Sequence, residues 1–369
     1  MARSDEFATL QEIAIEAKKR LSAQTWDYLS GGAESETTLR RNRLALDSIA
    51  FRPRVLNDVA KVDSTSSLLG IPMRLPVFPA PIGSLHLMNP GAAVPVVKAS
   101  ETFGTIPFIS TVSSPGLEQT AAVGPGPKIF QLYIRGDRTW VDDVLDRVVK
   151  SGYKALCVTV DVAWYGRRER DLINRFNRRE FVARANIGNV SQEEEFKHQA
   201  AITWDFISHC KERTKLPIIV KGIATAEDAL LAVERGVDAV YVSNHGGRQL
   251  DHGMGAIDIL PEVVAAVAKR AVVLVDGGFC RGTDVVKALA LGAAAVGIGK
   301  LQGWALAADG EQGLLRAFEL LETEVRMTLA LLGCASLADL TPRHVRPAAP
   351  VGPGHPMAAY PAFLQLFDR

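Results

Sequence analysis

The sequence predicts a (β/α)8 barrel of the TIM type, preceded by a helical segment. The first observation is a set of eight short apolar runs, each continuous rather than alternating with polar residues. Parallel strands that are buried on both faces show this pattern. The eight runs cover residues 75–80, 107–111, 128–133, 154–160, 216–221, 238–243, 271–276 and 294–299.

The second observation is the amphipathic stretches that separate the runs. Residues 139–152, 225–236 and 282–293 have helical periodicity, and a glycine stands at or beside the end of each. Strands that alternate with single helices predict βα units, and eight such units close a barrel. An open doubly wound sheet is the alternative, but it needs a GxGxxG turn after its first strand, and PAPIGSL at 79–85 has none.

The chain of 369 residues divides into three parts. Residues 1–65 are rich in helix formers and charges, and they predict a helical segment that packs on the barrel. Residues 66–345 form the predicted barrel, and the proline-rich residues 346–369 predict an extended tail. Residues 166–203 form a long polar connection after the fourth strand, which is typical of a functional lid or a mobile segment.

Composition narrows the class of protein. Lys and Arg number 42 against 41 Asp and Glu, and a net charge of +1 argues against binding to nucleic acid. Four widely spaced cysteines without a CxxC pair indicate a reducing compartment rather than a disulfide or metal framework. Because the sequence shows neither a secretory signal nor a run of about 18 apolar residues, we expect a cytoplasmic protein with no membrane span and no metal.

Polar residues cluster where the predicted strands end, which is where barrel enzymes place their active sites. The loops after strands seven and eight, DGG at 276–278 and GIGK at 297–300, supply glycine amides, a lysine and a helix N-terminus. Those are the components of an anion site. Turn glycines explain either loop alone equally well, but the two loops together favour a phosphate.

His245 lies in the glycine-flanked segment SNHGGRQLD at the end of strand six. An imidazole suits a general base at neutral pH, and Arg248 has the fork geometry that holds a carboxylate. Asp161, at the end of strand four, either orients His245 or caps the following loop. Lys221, at the end of strand five, fits a Schiff base, a partner for an electron-rich cofactor or a structural ion pair.

Taken together, the motifs resemble the FMN-dependent L-2-hydroxy acid oxidases and dehydrogenases. That family includes glycolate oxidase, lactate oxidase, lactate monooxygenase and mandelate dehydrogenase. The resemblance runs from about residue 8 to about residue 345, and SNHGGRQLD with VKG is its most specific part. The motifs are FRPRVL, FQLY, TVD followed by GRRERD and NRF, LPIIVKGI, VSNHGGRQLD, VDGG with RGTDVVKALALGA, and GIG.

The resemblance implies that FMN lies across the C-terminal mouth of the barrel. It further implies that the lysine after strand five stabilises negative charge on the reduced flavin, near N1 and O2. The implied cofactor-binding positions are Pro81, Ile82, Gly83, Ser110, Gln131, Thr159, Lys221, Ser243, Asp276, Gly277, Gly278, Arg281, Gly299 and Lys300.

It also implies the catalytic set and the reaction. A histidine base with an aspartate behind it, two arginines that clamp the substrate carboxylate, and two tyrosines that contact substrate oxygens turn a 2-hydroxy acid into a 2-oxo acid. Electrons pass through FMN to O2 or another acceptor, with hydride and carbanion routes both open, and the enzyme is a homo-oligomer, a tetramer or an octamer. The implied catalytic residues are His245, Asp161, Arg168, Arg248, Tyr28, Tyr133 and Lys221.

Two departures from the family pattern fall at the phosphate end. Cys280 stands where the family usually has an arginine, and Lys300 replaces the arginine that usually follows GIG. Lysine binds phosphate as a point charge without the bidentate fork. We therefore predict weaker FMN retention than is usual for the family, with the adjacent Arg281 as the nearest replacement.

Two further departures fall near the substrate. Gly83 stands where the oxidases commonly have alanine. In having glycine at this position, the chain resembles the monooxygenase and mandelate dehydrogenase members. Val112 stands where the glycolate enzymes have tryptophan, which predicts room for a substrate side chain bulkier than that of glycolate. Trp164 and Tyr165 either line this pocket or pack within their loop.

Three other functions compete with this prediction. Another flavin-dependent barrel, of the monooxygenase or isomerase type, and a Schiff-base lyase that uses Lys221 would each keep the fold. A degenerate, non-catalytic flavin-binding barrel would account for Cys280 and Lys300. The pairing of His245 with two arginines favours the hydroxy acid enzyme, because most isomerases need no carboxylate clamp.

Overall fold

The computed structural model describes residues 7–176, 183–188, 190–352 and 354–367. Parts of the predicted N-terminal segment, of the 166–203 connection and of the tail lie outside these residues. The helices are α1 Leu10–Arg20, α2 Ala23–Ser30, α3 Thr37–Asp47, α4 Ala93–Phe103, α5 Leu117–Ala121, α6 Arg138–Lys150, α7 Glu169–Ile173, α8 Gln192–Ala200, α9 Trp204–Thr214, α10 Ala226–Glu234, α11 Ala256–Val267, α12 Gly282–Ala290, α13 Lys300–Leu332 and α14 Pro361–Phe367.

Eight parallel strands form the central sheet, and each falls within or overlaps one of the eight predicted runs. In chain order the strands are β1 Ile49–Phe51, β2 Ser66–Leu68, β3 Ile71–Met73, β4 Val77–Pro79, β5 Phe108–Ser110, β6 Ile129–Leu132, β7 Ala155–Thr159, β8 Ile218–Ile223, β9 Ala239–Val242, β10 Val272–Val275, β11 Ala295–Ile298 and β12 Val345–Pro347. The barrel strands are β4 to β11, and the short strands β1, β2, β3 and β12 lie outside the barrel. The barrel strands pair in the order β4-β11-β10-β9-β8-β7-β6-β5. The predicted (β/α)8 barrel is confirmed.

The barrel closes where β4 meets β5. The Thr105 hydroxyl, just before β5, donates to the carbonyl oxygen of Val77 in β4 at 2.5 Å. Inside the barrel, Phe78 and Phe108 stack with their ring centroids 4.4 Å apart, and Tyr241 packs edge-on against both. These aromatic side chains fill the interior of the barrel away from the C-terminal ends of the strands. The open space therefore lies at those C-terminal ends.

The N-terminal helices pack on the barrel rather than forming a separate domain. Helix α1 lies along α13, and α3 lies against α11. The guanidinium of Arg43, in α3, makes two hydrogen bonds of 2.8 Å to Asp284 at the start of α12, and both side chains are buried. This pair fixes the helical segment over the mouth of the barrel.

The C-terminal segment differs from the extended tail that the sequence predicts. Strand β12 pairs with β1, and a short helix, α14, then packs against α1. Met357, Tyr360 and Phe363 are buried there, since apolar surface on α1, α2 and α13 is available to them. An isolated helix of this length is marginal in water, which explains why local sequence alone did not indicate it.

Two absences concern the described residues alone. None of their helices is long and apolar enough to span a bilayer. No group of three or more His, Cys, Asp or Glu side chains among them is arranged to hold a metal ion.

Candidate active site

A deep cavity opens at the C-terminal ends of the barrel strands, with a volume of about 1330 Å³ that includes its solvent-open mouth. Residues from the ends of all eight barrel strands and from the N-terminal helices line it. The predicted site residues in its wall are Tyr28, Pro81, Ile82, Gly83, Tyr133, Arg168, Lys221, His245, Arg248, Asp276, Gly277, Gly278, Gly299 and Lys300.

His245 and Asp161 form a hydrogen-bonded pair beside this cavity. The Nδ1 atom of His245 lies 3.0 Å and 3.1 Å from the two carboxylate oxygens of Asp161. Its Nε2 atom lies 3.3 Å from the hydroxyl of Tyr133, which lines the cavity. Because an ionised carboxylate accepts hydrogen bonds, Asp161 holds the proton on Nδ1 and leaves Nε2 as the basic nitrogen.

The protonation states follow from burial and charge. Burial lowers the pKa of His245 below 6.5 and outweighs the opposing charge of Asp161. Burial alone would raise the pKa of Asp161, but the positive charges of His245 and Lys221 hold it below its ordinary value. A neutral imidazole beside an ionised carboxylate is therefore the form that faces the cavity at neutral pH.

Glycines at two positions make this pair possible. Gly222 has φ +111° at an irregularity in β8, and a Cβ there would lie 2.7 Å from the Cβ of Asp161. Gly247 has φ +75°, and a Cβ there would lie 2.5 Å from the backbone nitrogen of Leu39 in α3. The first admits Asp161 next to β8, and the second lets the His245 loop pack against the N-terminal helices.

Lys221 takes part in a buried hydrogen-bond network that the sequence analysis did not predict. Its Nζ donates to the Ser243 hydroxyl at 2.7 Å and lies 3.5 Å from the Asp276 carboxylate. The Ser243 and Tyr241 hydroxyls donate to the two oxygens of Asp276 at 2.6 Å and 2.9 Å. The charges of Asp276 and Asp161 offset the effect of burial and raise the pKa of Lys221. Lys221 is therefore a fixed cation.

Three more predicted residues lie together below the cavity. The Ser110 hydroxyl donates to Oε1 of Gln131 at 2.8 Å, and Nε2 of Gln131 donates to the Thr159 hydroxyl at 2.9 Å. All three are buried at the ends of neighbouring strands. They form a polar floor in which each side chain is oriented by the next.

Three half-buried cations, Arg168, Arg248 and Lys300, line another part of the cavity. Each donates to backbone carbonyl oxygens, and none pairs with a described carboxylate. Burial, reinforced by the charge of Arg248, lowers the pKa of Arg168 to about 10 and that of Lys300 to about 7. Positive charges that are partly withdrawn from water and have no counterion are unfavourable, so this region suits an anion.

The loop from the end of α2 explains how Arg248 is held. One Nη atom of Arg248 donates to the carbonyl oxygens of Tyr28, Leu29 and Gly31, at 2.5, 3.3 and 3.2 Å. These carbonyls belong to the C-terminal end of α2, where a cation is favoured. The guanidinium also lies 5.0 Å from the Tyr28 ring centroid. The N-terminal segment thus orients the arginine that the sequence assigns to the substrate.

The phosphate end fits an anion, with one correction to the prediction. Lys300 begins α13 next to Gly299, and a Cβ at Gly299 would meet no atom within 4 Å, so the helix N-terminus faces open space. Arg281 does not reach the cavity. Its guanidinium lies 2.8 Å from Glu324 and donates to the Ala359 carbonyl at 3.4 Å. The carboxylate of Glu324 draws Arg281 to the outside of the barrel.

At the opposite end, sequence reasoning missed Arg135 and left open whether Tyr165 lines the pocket or packs within its loop. Arg135 lines the cavity and donates to the Tyr165 hydroxyl at 2.6 Å. Tyr165 also lines the cavity, whereas Trp164 is 78% exposed, although both rings contact Phe196 in α8. Both Arg135 and Tyr165 lie two or more residues beyond a strand end, where the chain direction is not fixed by the strand pattern.

Comparisons with known proteins agree with this arrangement. Residues 17–347 match the family model of FMN-dependent dehydrogenases. Glycolate oxidase 1 of Oryza sativa subsp. indica is 40% identical over 353 residues, which cover 92% of this chain and 96% of that protein. A peroxisomal (S)-2-hydroxyacid oxidase of Arabidopsis thaliana is 41% identical over 352 residues, which cover 93% of this chain and 97% of that protein.

Solved structures give the same result. Mandelate oxidase with (S)-2-phenylpropionate superposes with a TM-score of 0.86 at 38% identity, over 94% of this chain and 100% of that one. An active chimera of (S)-mandelate dehydrogenase superposes with a TM-score of 0.87 at 32% identity, over 92% of this chain and 99% of that one. The chain belongs to the FMN-dependent dehydrogenase family, and FMN is its cofactor.

Proposed function

We propose that this protein uses FMN to oxidise L-2-hydroxy acids to 2-oxo acids, with His245 as the base. The observation that carries the proposal is the position of His245. Its Nε2 faces a cavity that also contains Arg168 and Arg248, while Asp161 holds its Nδ1 at 3.0 Å. A base and two unneutralised guanidinium groups in one cavity suit a substrate with a carboxylate beside the reacting carbon.

The chain's own groups have the following roles. Arg168 and Arg248 bind the substrate carboxylate, whose charge offsets their mutual repulsion. Tyr28 and Tyr133 position the substrate oxygens, and Nε2 of His245 accepts a proton from the substrate. Asp161 stabilises the resulting imidazolium, as a carboxylate does behind a catalytic histidine.

FMN, when bound, takes up the two electrons that leave the substrate and passes them to the acceptor. Lys221 supplies a fixed positive charge at the floor of the cavity, where it stabilises the reduced cofactor. Pro81, Gly83 and the polar floor residues would hold its ring system. Gly278, Gly299 and Lys300 would hold its phosphate. In this proposal Arg281 has no role in cofactor binding.

The Lys221 network argues against a Schiff-base lyase. A nucleophilic lysine must be deprotonated, but the charges of Asp276 and Asp161 raise the pKa of Lys221. The assembly of base, carboxylate clamp and fixed cation in one cavity also argues against a degenerate barrel.

We further propose that the substrate has a side chain larger than that of glycolate. Val112 and Gly83 lie in contact in the cavity wall, and neither fills the space that a tryptophan would take. Solved structures of mandelate oxidase with aromatic ligands such as benzoyl-formic acid are among the similar proteins. An aryl or branched 2-hydroxy acid is the substrate class that this wall favours.

One experiment tests both proposals. The holoenzyme is mixed anaerobically with glycolate, L-lactate, L-mandelate or longer 2-hydroxy acids, and flavin bleaching is followed by absorbance. We expect the fastest bleaching with L-mandelate or a branched acid. Bleaching by none of these acids would overturn the function, and glycolate as the best substrate would overturn the larger side chain. Readmitting air then distinguishes O2 from another acceptor by the rate of recolouring.

We propose, finally, that the enzyme is a homo-oligomer, most simply a homotetramer, in the cytoplasm. The resemblance to the family supports the assembly. The four cysteines, which are free and buried, support a reducing compartment. Light scattering of the purified holoenzyme tests the assembly, and a monomer would contradict it.

A further inference from the structure

Residues 354–367, here called the C-terminal strap, lie beyond the region that matches the family. The family match ends at residue 347, and the strap follows as a turn and helix α14. Its side chains Met357, Tyr360 and Phe363 retain only 5%, 0% and 5% of their exposure. The strap is therefore packed into the molecule and not laid on its surface.

The strap reaches the phosphate end of the cavity. Pro356 is itself part of the cavity wall. The Tyr360 hydroxyl donates to the Cys280 carbonyl oxygen at 2.9 Å, and its ring packs edge-on against Trp304 with centroids 6.1 Å apart. Cys280 and Trp304 both line the cavity. The strap thus contributes one wall residue and contacts two others from behind.

The strap is anchored on the opposite side by the N-terminal helices. Phe363 stacks on Trp26 of α2, with centroids 5.6 Å apart and planes inclined by 15°. The backbone N–H of Ala362 donates to the side-chain oxygen of Gln11 in α1 at 3.0 Å. These contacts connect the strap to α1 and α2.

The strap contacts positions 280 and 281, neither of which supplies a positive charge to the phosphate end of the cavity. The Tyr360 hydroxyl binds the backbone carbonyl of Cys280, whose buried side chain carries no positive charge to the cavity. The Ala359 carbonyl and Glu324 together hold the Arg281 guanidinium away from the cavity. Shape and backbone position at this end are therefore set by the strap rather than by a second arginine.

We propose that the C-terminal strap is a component of the FMN-binding site that holds the loop at 277–280 in its phosphate-binding position. It shields that loop from water and fixes its backbone through the Tyr360–Cys280 hydrogen bond. The inference rests on the proposed placement of the FMN phosphate between the loops after β10 and β11. It names Tyr360 as a positioning residue for the cofactor.

The test compares the binding of FMN and of riboflavin, which lacks the phosphate, to the full-length apoprotein by quenching of flavin fluorescence. Tyr360→Phe removes the hydrogen bond to Cys280 and keeps the ring. We expect the Kd for FMN to rise about threefold to tenfold and the Kd for riboflavin to stay unchanged. Phe363→Ala, which weakens the anchor on Trp26, should act in the same direction.

Leu366→Ala is the matched control, because Leu366 lies on the same helix and is 61% exposed. It should leave both Kd values unchanged. An unchanged Kd for FMN in both strap variants would overturn the inference, and so would an equal loss for FMN and riboflavin. Circular dichroism confirms that each variant is folded. Absence of FMN binding in the unmodified protein would instead contradict the proposed function.

Discussion

At the scale of single residues, the pH behaviour of His245 is the most direct consequence of the site. Burial lowers its pKa below 6.5, and the base acts only when neutral. We expect kcat/KM to be constant near neutral pH and to fall as the pH drops through that lowered pKa.

His245→Ala should bind FMN normally and lose about 10²-fold or more in turnover. Full activity in His245→Ala would remove the residue from the mechanism.

The neighbouring carboxylate gives a second readout of the same pair. Asp161 raises the pKa of His245 against the effect of burial, so Asp161→Asn should move the acid limb of the profile to still lower pH. Turnover should fall as well, because the imidazolium that forms loses its stabilising charge. An acid limb at the same pH as in the unmodified enzyme would contradict this assignment.

Gly83 and Val112 are coupled by direct contact. A Cβ at Gly83 would lie 2.4 Å from a methyl carbon of Val112, which is closer than packed atoms approach. We expect Gly83→Ala to reduce stability by about 1–3 kcal/mol through overpacking. In the Gly83→Ala/Val112→Ala double variant most of that loss should be recovered. Denaturant unfolding of the holoenzyme measures the cycle, and purely additive effects would count against the contact.

Lys300 should make FMN binding depend on pH. Burial lowers its pKa to about 7, and a bound phosphate would raise that pKa because it stabilises the ammonium form. By linkage, affinity is highest where Lys300 is protonated and falls as the pH rises above about 7 toward the raised pKa. Fluorescence titrations of FMN binding between about pH 6.5 and about pH 9 measure this dependence. Lys300→Arg, which stays charged, should abolish the slope.

At the scale of elements, the buried pair of Arg43 and Asp284 connects α3 to α12. Arg43→Met would leave a buried carboxylate without its partner, and we expect a loss of about 3–5 kcal/mol in the free energy of unfolding. Arg74→Met is the control, because Arg74 pairs with Glu322 at the surface and is 51% exposed. Its loss should be below about 1 kcal/mol. Equal losses would show that burial does not distinguish the two pairs.

The same pair predicts an acid limit to stability. The charge of Arg43 offsets burial and lowers the pKa of Asp284 in the folded state. A carboxylate with a lowered folded pKa stabilises the fold fully above its unfolded pKa, and that contribution is lost as the pH falls through the folded value. The Arg43→Met variant should therefore lose part of this acid dependence in unfolding measurements.

At the scale of the whole molecule, the cofactor should contribute to stability. Arg168, Arg248 and Lys300 are half-buried in one cavity without a described carboxylate partner, so an anion there offsets their mutual repulsion. FMN at about 100 times its Kd should add about 2.7 kcal/mol to the free energy of unfolding. Thermal scans of the apoprotein with FMN and with riboflavin measure the share due to the phosphate. A Tm that does not respond to FMN would contradict binding to the folded state.

Much of the molecule could be predicted from the sequence because its signals are local. Continuous apolar runs identified all eight barrel strands, since parallel strands are buried on both faces whatever their neighbours. The position of His245, Lys221 and Asp161 at strand ends placed them on one rim by topology alone. The motif SNHGGRQLD and its companions indicated the family.

Tertiary structure decided what depends on contacts distant in sequence. Arg281 is adjacent to the phosphate loop, yet Glu324 and Ala359 hold its side chain outside the cavity. The tail was predicted to be extended, but burial against Trp26 and Trp304 forms a helix there and brings Tyr360 onto Cys280. Sequence fixes backbone periodicity and residue chemistry, whereas the direction of a side chain follows from partners that only folding brings together.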